Sequence, residues 1–218
     1  MQHNTIPIPY RIIRTALLVT VVACCFLTAF GQDCTLKKNK DGIAVYTCNE
    51  ADSHFKSIRA ELTLQNTSPA TLINALADVD NFTQWQYKMS EAAVLQHIND
   101  KEMIYRTVVD APWPVENREL IVQMTIDHDP AKGQVFIFVR TVPFDHPVTK
   151  GLVRVPFSEA KWNVTVRDND LVIVYTLKVN PGGSLPAWII NMGVAEGPFH
   201  SFANLRKKVS EANGVGPR

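Results

Sequence analysis

The 218-residue sequence has almost no net charge and few cysteines, and it lacks the motifs of most catalytic and metal sites. A formal charge of +1 at pH 7 gives no basic surface for a nucleic-acid partner. The six histidines and four cysteines have no zinc-like spacing, so no metal or cofactor is expected. Gly-x-Ser-x-Gly, phosphate-binding loops, internal repeats and low-complexity runs are also missing. What is left is a globular chain of ordinary composition, enough for one domain.

The N-terminal residues have the pattern of a secretory signal. Arg11 and Arg14 precede an apolar run over residues 15–30, and small residues stand at the positions that a signal peptidase reads. We therefore predict a signal peptide at residues 1–31 and a mature chain that begins at Gln32. The protein is then exported, either to a periplasm or out of the cell.

Two other interpretations of the N-terminal segment stay open. The stretch VVAC, which ends at Cys24, resembles a lipoprotein box and would make the protein a membrane-anchored lipoprotein. The strongly apolar residues after Cys24 disfavour this interpretation. A retained membrane anchor is the third possibility, although about 16 apolar residues is short against the ~20 needed to span a bilayer.

The two cysteines that follow the predicted signal are expected to form a disulfide bond. A hairpin with a three-residue loop at Lys40–Gly42, and Gly42 in the left-handed conformation, places Asn39 opposite Ile43. The same register places Cys34 directly opposite Cys48. Outside the cytosol, facing cysteines oxidise to a structural disulfide, whereas a reducing compartment would leave two free thiols.

Apolar periodicity predicts the remaining elements. Residues 55–65 alternate as a strand, and a helix begins at Pro69 with Ser68 as its N-cap. A long helix is predicted over Leu185–Ala212, followed by a disordered tail at residues 213–218. Six strands between the helices are predicted at Ala92–Ile98, Met103–Val109, Leu120–Asp127, Gln134–Val142, Lys161–Val166 and Leu171–Val179. This order is typical of an α+β fold with an antiparallel sheet and helices on one face.

Five stretches of the chain, in this order, carry a family resemblance. They are FTQWQYKMSEAAVLQHIND, DAPWPVENRELIV, HPVTKGLVRV, YTLKVNPGGSLPAWIIN and FANLRKKV. Together they resemble the START domain, the lipid-transfer domain named for steroidogenic acute regulatory protein. The resemblance covers roughly Cys34 to Val209, and we expect the domain to span residues 32–212. The resemblance implies a helix-grip fold, in which a curved antiparallel β-sheet surrounds a hydrophobic cavity closed by a long C-terminal α-helix.

The resemblance also implies a function. Such domains bind one lipid or other hydrophobic small molecule and carry it between membranes, so transient membrane contact is expected, and we expect a monomer. The helix from Leu185 would act as a lid that loosens at Gly193, Gly197 and Pro198. The loop over residues 142–151 would be the facing half of the gate.

Candidate ligand contacts are the aromatic and apolar residues of the expected cavity, together with one charge. They are Arg106, Phe136, Phe138, Trp162, Tyr175, Trp188, Met192 and Phe199. Phe136 and Phe138 lie in a strand with two apolar faces, so the side that faces the cavity is ambiguous. Arg106 either binds a polar ligand head inside the cavity or lies on the solvent face of its strand. Arg118, with Glu116 and Glu119 nearby, is expected to pin the bend after Pro114.

Two other classes of function remain open. An enzyme of the same fold, similar to polyketide cyclases, could use Tyr105, Tyr175, Asp110 or His97 as acid and base groups. Two of these groups converging in a cavity would favour it. An envelope interaction module with a packed interior would instead have an exposed apolar patch. Because no catalytic motif is present, a non-enzymatic carrier is the preferred interpretation.

Overall fold

The computed structural model describes residues 33–51, 55–183 and 195–214. The predicted signal peptide therefore lies outside the described residues. So do the candidate contacts Trp188 and Met192, the first part of the predicted C-terminal helix, and most of the predicted tail.

The described residues form ten strands, two α-helices and one 3₁₀ helix. In chain order they are β1 (Cys34–Lys40), β2 (Ile43–Cys48), β3 (Ser57–Leu64), α1 (Pro69–Ala77), a 3₁₀ helix (Val79–Gln84), β4 (Met89–Asn99), β5 (Glu102–Val109), β6 (Asn117–Asp129), β7 (Gln134–Thr141), β8 (Leu152–Arg154), β9 (Phe157–Arg167), β10 (Asp170–Asn180) and α2 (Glu196–Ala212). The sequence did not predict the 3₁₀ helix or β8.

All ten strands belong to one sheet. Nine of them follow the order β1-β2-β3-β10-β9-β7-β6-β5-β4, and each neighbouring pair is antiparallel. The short strand β8 pairs in parallel with the start of β6. The curved antiparallel sheet with a C-terminal helix is the predicted helix-grip arrangement, so the α+β fold class is confirmed.

The N-terminal hairpin has the predicted cysteine pairing but a tighter turn. Lys40 pairs with Ile43, so the loop has two residues, Asp41 and Gly42, at φ values of 51° and 69°. This is the left-handed pair typical of an Asp-Gly hairpin turn, and the predicted three-residue loop is wrong. A bulge between Leu36 and Lys38 then shifts the register by one residue.

The bulge in β1 brings the two cysteines opposite each other. Cys34 pairs with Cys48 in the ladder, and their sulfur atoms form a disulfide bond. The predicted disulfide is therefore confirmed. The loop is one residue shorter than predicted, and the extra residue in β1 compensates for this difference.

Helix α1 begins as the sequence predicts. The backbone N–H of Thr71 donates to the Ser68 hydroxyl at 3.1 Å, and Pro69 stands in the first turn, where its missing N–H costs nothing. Leu72, Ala75 and Leu76 bury one face of the helix. The helix thus covers one end of the sheet's inner face.

Helix α2 lies across the same inner face and closes the core. Its buried residues Phe199, Phe202, Leu205 and Val209 recur at helical spacing. The Phe202 ring packs edge-on against two sheet aromatics, with centroids 5.3 Å from Trp162 and 5.1 Å from the ring of Tyr175. Across the described ranges, no helix combines the length and the apolarity that crossing a membrane requires.

Candidate functional site

A cavity of about 350 Å³ lies between the inner face of the sheet and the elements that cover it. Leu76 of α1 and Phe82 of the 3₁₀ helix form part of its cover. Six strands contribute to the wall. Met89 begins β4, and the other five supply residues at alternating positions: Tyr105, Thr107 and Val109 of β5; Arg118, Leu120, Val122 and Met124 of β6; Ile137 and Val139 of β7; Ser158, Ala160 and Trp162 of β9; Tyr175, Leu177 and Val179 of β10. The lining is mostly apolar, and its volume is in the range of small-molecule sites.

Two of the candidate ligand contacts, Trp162 and Tyr175, lie in the cavity wall. They pair across β9 and β10, and their rings meet edge-on with centroids 5.0 Å apart. Residues an odd number of positions away, such as Lys161 on β9 and Lys178 on β10, point to the other face because successive side chains of a strand alternate. The regular apolar stripe on these two strands made the placement predictable.

Phe136 and Phe138 point away from the cavity. Ile137 and Val139 of the same strand line the wall, so alternation sends both phenylalanines to the outer face. Phe136 is 44% exposed, and Phe138 has the ammonium of Lys161 5.6 Å from its ring centroid. Since both faces of β7 are apolar, only the packing of the whole sheet decides which one turns inward.

Arg106 also lies on the face opposite the cavity, where it makes two ion pairs. Its neighbours in sequence, Tyr105 and Thr107, both line the wall. The guanidinium donates to Glu119 at 2.5 Å and to Glu91 at 2.6 Å. Arg106 is therefore neither a fully solvated strand residue nor a group that a ligand in the cavity could reach.

Phe199 is buried on α2, but it is not among the described residues that line the cavity. The Lys38 ammonium lies 4.1 Å from its ring centroid. This contact joins α2 to the edge strand β1, so the described contacts give Phe199 a packing role.

Glu119 is the centre of a buried cluster behind the cavity wall. Its carboxylate is fully buried and accepts hydrogen bonds from Arg106, Arg154 and the Thr149 hydroxyl. Burial alone would raise the pKa of this carboxyl group, but these donors hold it at about 2. The cluster ties the loop over residues 142–151 to the middle of the sheet.

Arg118 is the polar cavity residue whose role the sequence analysis missed. It is only 9% exposed, and it lies on the same face of β6 as Leu120 and Val122. Glu119, the neighbour expected to help pin the bend with it, points to the opposite face. The alternation of Arg118 with apolar residues along β6 was the signal that could have found it.

The described partners of the Arg118 guanidinium are backbone carbonyl groups. Its Nε donates to Pro181 at 3.4 Å, Nη2 donates to Gly182 at 3.3 Å, and Nη1 donates to the carbonyl of Glu116. Within the described residues, no carboxylate forms an ion pair with it. Burial lowers the pKa of Arg118, and the nearby Glu116 only partly opposes this effect.

Of the four acid–base candidates, Tyr105 and Tyr175 come together in the cavity wall. Burial raises the pKa of both phenols, and for Tyr105 the proximity of Tyr175 adds to the effect. The other two lie elsewhere: His97 is exposed on β4, and Asp110 accepts hydrogen bonds from Ser90 and Asn117 in the loop after β5. Both tyrosines are therefore neutral hydrogen-bonding groups at ordinary pH.

The described residues contain no group of three or more histidine, cysteine, aspartate or glutamate side chains that could hold a metal ion. The described lining offers an apolar wall, one guanidinium, the Gln86 amide and a few hydroxyl groups. This composition suits an amphiphilic small molecule.

Comparisons with known proteins agree with the fold. The START domain family pattern matches residues 34–212. The crystal structure of a STAR-related lipid transfer protein fragment from Xanthomonas axonopodis superposes with a TM-score of 0.74 and 29% identity, covering 81% of this chain and 98% of that one.

Two relatives match this chain by sequence. An uncharacterised protein of Pseudomonas aeruginosa is 27% identical over 196 residues, which cover 89% of this chain and 96% of that protein. The phosphatidylcholine transfer protein of Mus musculus is 25% identical over 174 residues, which cover 77% of this chain and 79% of the mouse protein. With a family match across nearly all of the described residues, this chain belongs to the START domain family.

Proposed function

We propose that the protein binds a lipid or other hydrophobic small molecule in the cavity and carries it between membranes without catalysis, outside the cytoplasm. The observation that carries this proposal is the apolar cavity of about 350 Å³ inside a single sheet. A packed interior would be expected of an interaction module, whereas here an apolar wall borders empty space. Apolar walls of this kind bind ligands by removing their surface from water.

Membership of a lipid-transfer family supports the choice of ligand class. The mouse relative is by name a phosphatidylcholine transfer protein, and the Xanthomonas relative is by title a STAR-related lipid transfer protein. A lipid of related chemistry is the simplest occupant of a cavity with the same fold and a mostly apolar lining.

Export is part of the proposal and rests on two features. The sequence of residues 1–31 has the pattern of a secretory signal, and the Cys34–Cys48 disulfide is of the kind that persists in oxidising compartments. A periplasmic or secreted carrier would move its ligand through an aqueous space. The cavity would then shield the ligand from water during transit.

The loop between β5 and β6 is the proposed membrane contact. Trp113 stands at its tip between two prolines and is 93% exposed. The base of the loop is fixed because Asn117 donates to Asp110 at 2.8 Å and accepts from the Ala111 N–H at 3.0 Å. A rigid loop that presents an exposed tryptophan is suited to the membrane interface, where an indole ring is favoured.

Catalysis is the second candidate, because Tyr105 and Tyr175, two possible acid–base groups, both line the cavity and are close enough to interact electrostatically. Their raised pKa values favour binding over proton transfer, since neither phenol ionises near neutral pH. Two neutral hydroxyl groups can hold a polar atom of a ligand without reacting with it.

The proposed function is tested by native mass spectrometry of the chain from Gln32 onward, purified after export from its own cells, with lipid analysis of the extracted ligand. We expect one lipid-sized molecule bound per protein. After prolonged incubation the extracted ligand should have the same mass as before. An empty protein that binds none of the sterols, phospholipids and fatty acids offered would overturn the proposal. A ligand converted to a new mass would transfer support to the enzyme.

The membrane contact has its own test. Trp113→Ser is expected to weaken sedimentation with phospholipid vesicles and to slow lipid transfer between them, while ligand binding in solution stays unchanged. Phe136→Ser is the matched control, because it removes an exposed aromatic ring from the outer face of the sheet. Equal losses in the two variants would show that exposed apolar area, and not the loop, governs vesicle binding.

A further inference from the structure

The charge of Arg118 indicates more about the ligand than the apolar wall does. It stands where β6 enters the cavity wall, opposite Val109 in the ladder, with Val179 and Pro181 also lining this end. Every other described group in the lining is either apolar or uncharged. Arg118 is thus the one formal charge among the described residues that border the cavity.

This charge is compensated poorly by the protein itself. The three carbonyl partners occupy three of the five N–H groups of the guanidinium, but a carbonyl carries no net charge. Glu119 is bound to two other arginines on the opposite face of the sheet, and the side chain of Glu116 is exposed to solvent. Burying a charge without a counter-charge is costly, so Arg118 is the natural point of contact for an anionic group.

A comparison with Arg106 and Arg154 strengthens this argument. These two arginines belong to neighbouring strands, and each makes an ion pair with Glu119 at 2.5–2.7 Å. Among the described residues, the two partly buried arginines behind the cavity wall are thus paired with a carboxylate, whereas Arg118 on the cavity side is not. If Arg118 only braced the turn at residues 181–182, its two hydrogen bonds to Pro181 and Gly182 would be enough, and it would not affect which ligand the cavity binds.

We infer that Arg118 is the head-group contact of the cavity and that the ligand is an amphiphile with an anionic group, a carboxylate or a phosphate. This inference rests on the proposed function, because it assumes that the cavity holds a lipid. The guanidinium presents its remaining N–H donors to the anionic oxygens, and bidentate recognition of this kind suits carboxylate and phosphate alike. The acyl chain extends from there along the apolar wall toward Ile137 and Trp162.

The experiment compares three ligands that share one palmitoyl chain: palmitate, palmitoyl lysophosphatidate and the neutral monopalmitoylglycerol. Calorimetric titration of the exported protein below the micelle concentration is expected to show at least about tenfold tighter binding of an anionic ligand than of the neutral one. The first two ligands distinguish a carboxylate from a phosphate as the preferred head group. Equal affinity for all three would overturn the inference and leave the proposed function standing.

Variants separate head-group contact from a structural role. Arg118→Gln is expected to weaken binding of the preferred anion about tenfold or more and to leave monopalmitoylglycerol unchanged. Arg118→Lys keeps the charge and loses the planar guanidinium. Its affinity for the preferred anion should lie between those of the wild-type protein and Arg118→Gln. Arg106→Gln is the matched control, because it removes a partly buried arginine from the opposite face and should change no ligand preference.

The remaining outcomes are also decisive. A loss of affinity for all three ligands in Arg118→Gln, with a lowered melting temperature, would assign Arg118 to the turn and overturn the inference. If that variant does not fold, the anion preference of the wild-type protein and of Arg118→Lys still decides the question. Failure of the wild-type protein to bind any lipid would overturn the proposed function itself.

Discussion

The two ends of the sheet's inner face have nearly the same composition and different interiors. At one end Leu171 and Ile173 of β10 are fully buried, packed in the core beneath the helices. Along the same stripe of the same strand, Leu177 and Val179 border the cavity and are only half-buried. An apolar stripe therefore does not specify whether it faces a core or a hollow; the elements that cover it do.

The hollow end is stabilised from behind. The strand that carries Arg118 and Leu120 in the cavity wall carries Glu119 on its other face, and Glu119 is held by Arg106, Arg154 and Thr149. Ion pairs behind the wall thus provide attachment at the end where core packing is reduced. This difference between the ends can be tested by substitutions of the same type at each.

The largest expected effect is at the packed end. Leu171→Ala should lower the free energy of unfolding by about 2–5 kcal/mol, because it opens a cavity in a dense core. Leu177→Ala is the same change six residues further along the strand. It should lower the free energy of unfolding by about 1 kcal/mol or less, because the Leu177 side chain already borders the cavity and has fewer contacts to lose. Urea unfolding of both variants measures the difference, and equal losses would show that the cavity end is packed in solution.

Removing the disulfide should have the next largest effect. A Cys34→Ser, Cys48→Ser double variant is expected to lose about 3 kcal/mol of stability, since the bond closes a loop of some 15 residues in the unfolded chain. The hairpin packs against α2, away from the cavity, so ligand affinity at a temperature where the variant is folded should not change. Reductant should destabilise the wild-type protein by a similar amount and leave the variant unaffected.

Glu119→Gln should cost less than the loss of a fully buried ion pair. We expect about 1–3 kcal/mol, because the released Arg106 and Arg154 are partly exposed and can be hydrated. Glu91→Gln is the control, because the Glu91 side chain is 58% exposed and its loss should be nearly neutral. Thermal unfolding measures both variants. Equal losses of melting temperature would contradict the proposed role of Glu119 in stabilising the cavity end of the sheet.

The pH dependence of stability offers the mildest test of the same cluster. The pKa of Glu119 is about 2 in the folded protein, below its usual value of 4.5, so its contribution is fully present above pH 4.5. It is lost as the pH falls from 4.5 toward 2, where the folded protein also takes up the proton. The stability difference between the wild-type protein and Glu119→Gln should therefore shrink over this range. A constant difference would show that the ion pairs with Arg106 and Arg154 do not lower the pKa of Glu119.

Much of the fold could be predicted from local sequence patterns. The alternation of apolar residues in β9 and β10 predicted that Trp162 and Tyr175 face inward, and the N-cap residue Ser68 predicted where α1 begins. The hairpin was predicted with the right cysteine pairing and the wrong loop, because a two-residue turn and a bulge give the same end point as a longer loop without a bulge. Such compensating irregularities leave no trace in the apolar pattern.

The site was less predictable than the fold. A strand shows from its sequence which residues share a face, but not which face turns inward when both are apolar, as in β7 with Phe136 and Ile137. Arg106 and Arg118 each alternate with apolar residues along a strand, and Glu116 and Glu119 next to Arg118 in sequence suggested that they are its partners. Because adjacent residues of a strand point in opposite directions, Glu119 in fact neutralises Arg106, on the neighbouring strand.

The irregular edges of the sheet have a consequence for solubility. An open sheet presents unpaired N–H and C=O groups along its outermost strands, which can template aggregation with another chain. Here β1 carries a bulge and three lysines, and β4 shifts its register three times against β5. Bulges and lysines disfavour continuation of a ladder by a second molecule, so this sheet can enclose an apolar cavity while its edges resist fibre-like self-association.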